Sequence, residues 1–233
     1  MIMKQDRSLI PACDVDAATY EALLKATADI DGVGGYKLGF MLGLSLGLPR
    51  AVEIARKYTT KPLIYDHQKA GTDIPDTGKG FARVCKRSGI DAVILFPQAG
   101  PETERAWINA CRDEGLGVIV GGLMTHKGYT RGDGGWIADE AVIEMYLTAA
   151  REKVTDFVVP GTNPEAISKI RHMLESGGTI PTFYAPGFGA QGGEIRMAAD
   201  AAGPNFHAIV GRALVEASDM KAAATLMAQQ LKG

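Results

Sequence analysis

PLIYDHQKAGTDIPDTGKGFARVCKRSGIDAVILF, residues 62 to 96, contains the unit from which the whole chain is built. It opens on an apolar run, PLIYDH (62 to 67), and passes through a polar loop. KGFARVCKRSG (79 to 89) then has helical spacing and a closing glycine, and DAVILF (91 to 96) is apolar and β-branched again. The order is strand, loop, helix, strand.

The same alternation extends in both directions. SLIPACDV (8 to 15), GGYKLGF (34 to 40), LGVIVGGL (116 to 123), DFVVPG (156 to 161), TFYAPG (182 to 187) and HAIVGR (207 to 212) complete a set of eight candidate strands. Stretches of helical spacing separate most of them, among them LPRAVEIARKYT, ETERAWINACRDEG, DEAVIEMYLTAAREK and NPEAISKIRHMLESG, and SDMKAAATLMAQQL forms a final helix. Continuous apolar strands alternating with helices imply a parallel sheet covered by helices. Eight such units in 233 residues point to a single (β/α)8 TIM barrel rather than an open doubly wound sheet. No composition break or long linker divides the chain, so residues 1 to 233 are expected to form one domain, with HKGYTRGDGGW (126 to 136) as a long loop after the fifth strand.

Composition excludes several classes of partner. With 46% hydrophobic and 22% charged residues the chain can bury a sizeable core. A net charge of −2 gives no broad basic field for nucleic acid. No run has the roughly 18 apolar residues of a membrane span, and MIMKQDRSL lacks the apolar core of a signal peptide, so a cytoplasmic protein is expected. Cys13, Cys85 and Cys111 are odd in number and far apart, and read as buried small hydrophobes. His67, His126, His172 and His207 form no close ligand pair, so no dedicated metal site is expected.

In this fold catalytic residues gather where strands end and loops begin. The polar residues there are Asp14, Lys37, Asp66 with Lys69, Thr125, Gln191 and Arg212. Opposite charges from three successive strands in a poorly solvated mouth cost desolvation and are seldom kept for stability alone. The competing reading of the charges after strand three is a solvated loop; Asp14 competes with Asp16 as a cap of the first helix, and Thr125 with an ordinary structural role. PGFGAQGG (186 to 193) and VGR (210 to 212) end strands seven and eight, where barrels commonly bind phosphate. Glycines allow close backbone approach, Gln191 can donate an amide hydrogen and Arg212 a bidentate contact.

With these motifs assembled, the chain resembles the orotidine 5′-phosphate decarboxylase family over nearly its whole length, most specifically in the charged signature with DIPDT, the PGFGAQGG loop and the terminal IVGR. The resemblance implies a cofactor-free barrel that converts orotidine 5′-phosphate to UMP. It implies that Asp14 and Lys37 contact ribose hydroxyls, that Lys37, Asp66, Lys69 and Asp73 form an alternating charged array, and that Lys69 is the catalytic acid. It also implies a homodimer in which Asp73, Ile74 and Thr77 act in the partner's site. Thr125 falls where the family has a pyrimidine-bonding serine, and Pro186, Gln191, Gly211 and Arg212 belong to the phosphate end. These residue types suit the chemistry: an ammonium beside C6 stabilises the carbanion left by CO2 and then protonates it, while carboxylates keep the lysine charged.

The chain departs from the family in spacing. The common signature is DxKxxDI, whereas Asp66, Lys69 and Asp73 here carry one extra residue in each interval. Residues three apart do not share a face of a regular strand, so a bulge or early strand exit near Gln68 is required, with Gly71 absorbing the second insertion. His67, two before Lys69, is the alternative occupant of the C6 position. Two other functions compete: a related Mg²⁺-dependent barrel such as hexulose 6-phosphate synthase, which works through an enediolate, and a non-catalytic phosphate-binding barrel that senses nucleotides.

Overall fold

The computed structural model describes residues 2–67, 72–189 and 193–231. In chain order the elements are β1 (Arg7–Cys13), α1 (Ala17–Thr27), β2 (Tyr36–Leu38), α2 (Phe40–Ser45), α3 (Leu48–Arg56), β3 (Leu63–Asp66), α4 (Gly78–Arg87), β4 (Ala92–Leu95), α5 (Pro101–Asp113), β5 (Gly117–Gly121), α6 (Asp139–Arg151), β6 (Asp156–Val158), α7 (Pro164–Ser176), β7 (Thr182–Pro186), α8 (Gly193–Ala202), β8 (Phe206–Val210), α9 (Arg212–Val215) and α10 (Met220–Gln229). Each strand pairs in parallel with the next, and β1 pairs with β8 from Arg7↔Phe206 to Pro11↔Val210, which closes the barrel. This is the (β/α)8 TIM barrel that the strand–helix alternation predicts.

The helix boundaries follow local chemistry. Asp16 accepts hydrogen bonds from the Ala18 and Thr19 amides at the start of α1, Asn163 caps α7 ahead of Pro164, and Asp219 caps α10. Gly89 and Gly115 take positive φ just past α4 and α5, a backbone conformation that would strain any other residue there.

Strand alternation separates two cores. Tyr36, Leu38, Leu63, Tyr65, Val93 and Leu95 point outward and pack against the helices. Ile10, Ala12, Ile64, Ile94, Ile119, Val158, Tyr184 and Ile209 point inward and fill the barrel. Fully burying one such aliphatic side chain is worth about 1.5–3 kcal/mol. The three cysteines are buried, and desolvation pushes the Cys85 and Cys111 thiols up to about 12, so they behave as small hydrophobes.

Three details differ from the sequence expectation. Phe40 begins α2 instead of ending a strand, because β2 stops at Leu38. β3 stops at Asp66, so His67 has already left the sheet. The 126–136 segment is a compact folded turn: Thr130 bridges to Ile137, Arg131–Asp133 forms a 3-10 turn, and the Asp133 and Asp139 carboxylates accept the Gly128 and Gly132 amides at 2.7 and 2.9 Å.

Candidate active site

The inward parity of the strands delivers the charged residues to one place. Asp14 follows inward-facing Ala12 by two residues, Asp66 follows inward-facing Ile64 by two, and Lys37 lies between the outward-facing Tyr36 and Leu38. Lys37 pairs in register with Ala12 on one side and Ile64 on the other, one inward step below both carboxylates. Its ammonium therefore reaches up between them, 2.9 Å from Asp14 Oδ2 and 2.6 Å from Asp66 Oδ2. The side chains of Lys37 and Asp66 are only 6% and 2% exposed, whereas Asp14 is 45% exposed at the rim. Burial opposes the charge on Lys37, but Asp66 and then Asp14 outweigh it and hold the ammonium above the ordinary lysine range.

The structure thereby separates the two acidic residues after β1: Asp16 caps α1, and Asp14 serves the lysine. Gly39 makes this placement possible. A Cβ built there would lie 1.4 Å from Asp14 Oδ1, so any side chain at Gly39 displaces the carboxylate.

These three residues line one side of a cavity of about 1070 Å³ at the C-terminal mouth of the barrel. Pro186, Gly187, Gly211 and Arg212 line another side, from the ends of β7 and β8. Gly187 has φ +112, a conformation in which a side chain would be strained. Among the described residues no carboxylate pairs with the exposed Arg212, which leaves a guanidinium at the rim. Between the two poles the wall is largely apolar, with Ile94, Phe96, Met124 and Val158, and Thr125 stands at its edge.

The other expected site residues fall into two groups. Lys69 and Gln191 lie outside the described residues. Asp73, Ile74 and Thr77 are described, and none of them lines this chain's cavity; Asp73 is exposed, Ile74 is 58% exposed, and the Thr77 hydroxyl donates to the Ile74 carbonyl at 2.8 Å. His67 does not line the cavity either: its Nδ1 shares a 2.7 Å hydrogen bond with the Tyr65 hydroxyl on the outward side of β3. Burial lowers its pKa against the opposing pull of Asp66.

Sequence reasoning missed part of the lining. Gln98 lies just past β4 and its amide donates to the Tyr129 hydroxyl at 3.3 Å, while Trp136 overhangs the mouth at 94% exposure. Gln98 carried a weak signal, as a polar residue two positions after DAVILF. Tyr129 carried none, because only the folded turn brings it to the cavity, whereas Trp136 belongs to the Arg131 to Trp136 segment, which together with His126 reads from the sequence either as part of a lid or as a surface loop.

Fold and cavity together define a (β/α)8-barrel protein with a buried carboxylate–lysine–carboxylate cluster on one side of its mouth and a glycine–arginine pole on another. The chain belongs to the Orotidine 5'-phosphate decarboxylase / HUMPS family, whose model matches residues 7–227. An orotidine 5'-phosphate decarboxylase of Methanococcus maripaludis is 30% identical over 204 residues, 88% of either chain. One from Methanocaldococcus jannaschii is 30% identical over 208 residues, 89% of this chain and 91% of its own. The M. jannaschii decarboxylase complexed with the inhibitor BMP superposes with a TM-score of 0.83 at 26% identity, covering 97% of this chain and 99% of that one.

Proposed function

We propose that this chain decarboxylates orotidine 5′-phosphate to UMP in pyrimidine biosynthesis, without a cofactor, as one cytoplasmic catalytic domain that works as a homodimer. The observation that carries the reading is the Lys37 ammonium held between Asp14 and Asp66, sharing one cavity with the Arg212 pole. Family membership and the names of the relatives support the same reaction.

In this reading the 5′-phosphate binds Arg212 with Gln191 and the backbone at Pro186 and Gly211. The ribose hydroxyls meet Asp14 and Lys37, and Thr125 hydrogen-bonds the pyrimidine. The apolar wall excludes water from the reacting carbon, which strengthens each charge interaction inside. As the C6–CO2 bond breaks, its electron pair remains on C6; the Lys69 ammonium stabilises that charge and then gives C6 its proton. Asp66 holds one side of the array, and Asp73 with Ile74 and Thr77 completes the partner's site. The exposure of Asp73 and Ile74, and their absence from this chain's own cavity lining, fit a role across an interface.

The family name also carries HUMPS, and the competing reading is the Mg²⁺-dependent, enediolate-forming barrel. Here the carboxylates at the ends of β1 and β3 both engage Lys37, an arrangement suited to a lysine-based array. Lys69→Ala tests the assignment: decarboxylation, followed by the loss of substrate absorbance, should disappear while a UMP analogue still binds. Substantial residual turnover in that variant contradicts the role given to Lys69.

A further inference from the structure

The two ends of the strand-three signature are fastened to one cluster of rings on the outside of the barrel. At the first end, Tyr65 faces outward from β3 and its hydroxyl bonds His67 Nδ1 at 2.7 Å, immediately after Asp66. Both rings approach Phe81 of α4, Tyr65 with centroids at 6.2 Å and His67 at 5.8 Å. Phe81 in turn stacks on Trp107 of α5 at 4.8 Å. At the second end, Trp107 Nε1 donates to the Ile74 carbonyl at 3.0 Å, next to Asp73. The stack admits little change: Trp107 is 4% exposed, and a Cβ on Gly78 would lie 2.7 Å from its Cδ1.

We infer that Tyr65, His67 and Trp107 are positioning residues that hold Asp66 in place for this chain's own site, and Asp73 with Ile74 in place for the partner's. The inference rests on the decarboxylase reading above. Its physical basis is that β3 ends at Asp66, so the chain leaves the sheet at His67, and a chain with one more residue in each interval needs further anchors. The Tyr65–His67 bond and the Trp107–Ile74 bond are such anchors, and Phe81 ties them into one unit. His67 thus serves the site from behind, through Tyr65, instead of facing the substrate.

The experiment measures steady-state decarboxylation by the full-length chain. Tyr65→Phe deletes the hydroxyl that meets His67, and Trp107→Phe deletes the indole N–H that meets Ile74; both retain a ring. In the double variant kcat should fall about ten- to hundredfold, because small displacements of reacting groups carry costs of that size. KM should stay within about threefold, since the phosphate pole on β7 and β8 is untouched. His67→Asn keeps a hydrogen-bonding group near the Nδ1 position and should retain most of kcat, whereas His67→Leu should not. A double variant with wild-type kcat, or a loss of kcat that only tracks loss of folded protein by circular dichroism, overturns the inference. If the double variant does not fold, Tyr65→Phe alone, one oxygen smaller, is judged by the same two criteria. An inactive wild-type chain contradicts the decarboxylase reading itself; an active wild type with unaffected variants contradicts the anchoring alone.

Discussion

Lys37 shows how one residue ties stability to chemistry. Its ammonium is desolvated and its two partners are carboxylates, of which Asp66 is even more buried than the lysine. Removing one member of such a cluster leaves the other charge without water, a loss of about 3–5 kcal/mol. Lys37→Met should therefore lower the denaturation midpoint sharply, and adding Asp66→Asn should recover part of that loss; strictly additive losses in equilibrium unfolding would contradict the coupling. Gly39→Ala probes the same cluster from behind. It should leave the barrel folded yet push Asp14 off Lys37, so catalysis should fall well before thermal stability does. Equal catalysis in Gly39→Ala and wild type would show that Asp14 is not needed where it stands.

Elements impose their own titration. Glu104 lies in α5 at 2% exposure, and its Oε1 has no hydrogen-bond partner among the described residues. Burial pushes its pKa up to about 8. The folded chain then holds a proton that the unfolded chain releases near the ordinary carboxylate value, so stability falls as pH rises from about 4.5 to about 8. His207 in β8 has the opposite sign: buried beside Ser8, with its pKa lowered to about 4, it makes stability fall as pH drops from about 6.5 toward 4. Urea midpoints measured across pH should decline on both flanks, and Glu104→Gln should flatten the alkaline flank alone. An unchanged alkaline flank in that variant would mean that Glu104 ionises in the folded state without cost.

The same scale explains what the sequence made legible. Strands and long helices could be read because burial forces a period of two or of 3.6 on the residues that form them. Lys37 could be read because a lysine within GGYKLGF must face something. α2 could not, since FMLGLS is too short to display a period and Gly43 interrupts it. The orientation of His67 also could not be read, because it depends on where β3 stops, which Tyr65, Phe81 and the helices behind them decide. Gln98 and Tyr129 meet at the mouth through a hydrogen bond between segments 31 residues apart in sequence.

At the scale of the whole molecule, the proposed site is divided between two chains. Mixing a Lys69→Ala chain with an Asp73→Ala chain tests that division, since neither homodimer has a complete site whereas each mixed dimer has one. Random re-pairing should restore about a quarter of wild-type activity; no recovery would place Asp73 outside the partner's site. The proposed chemistry itself is simpler: this barrel removes CO2 from orotidine 5′-phosphate with lysine and aspartate side chains and no metal. The most direct test is to incubate purified, chelator-treated protein with orotidine 5′-phosphate, following substrate absorbance and UMP together. Stoichiometric conversion is expected, at a rate the chelator does not change; no conversion, or conversion restored only by added Mg²⁺, would contradict a metal-free decarboxylase.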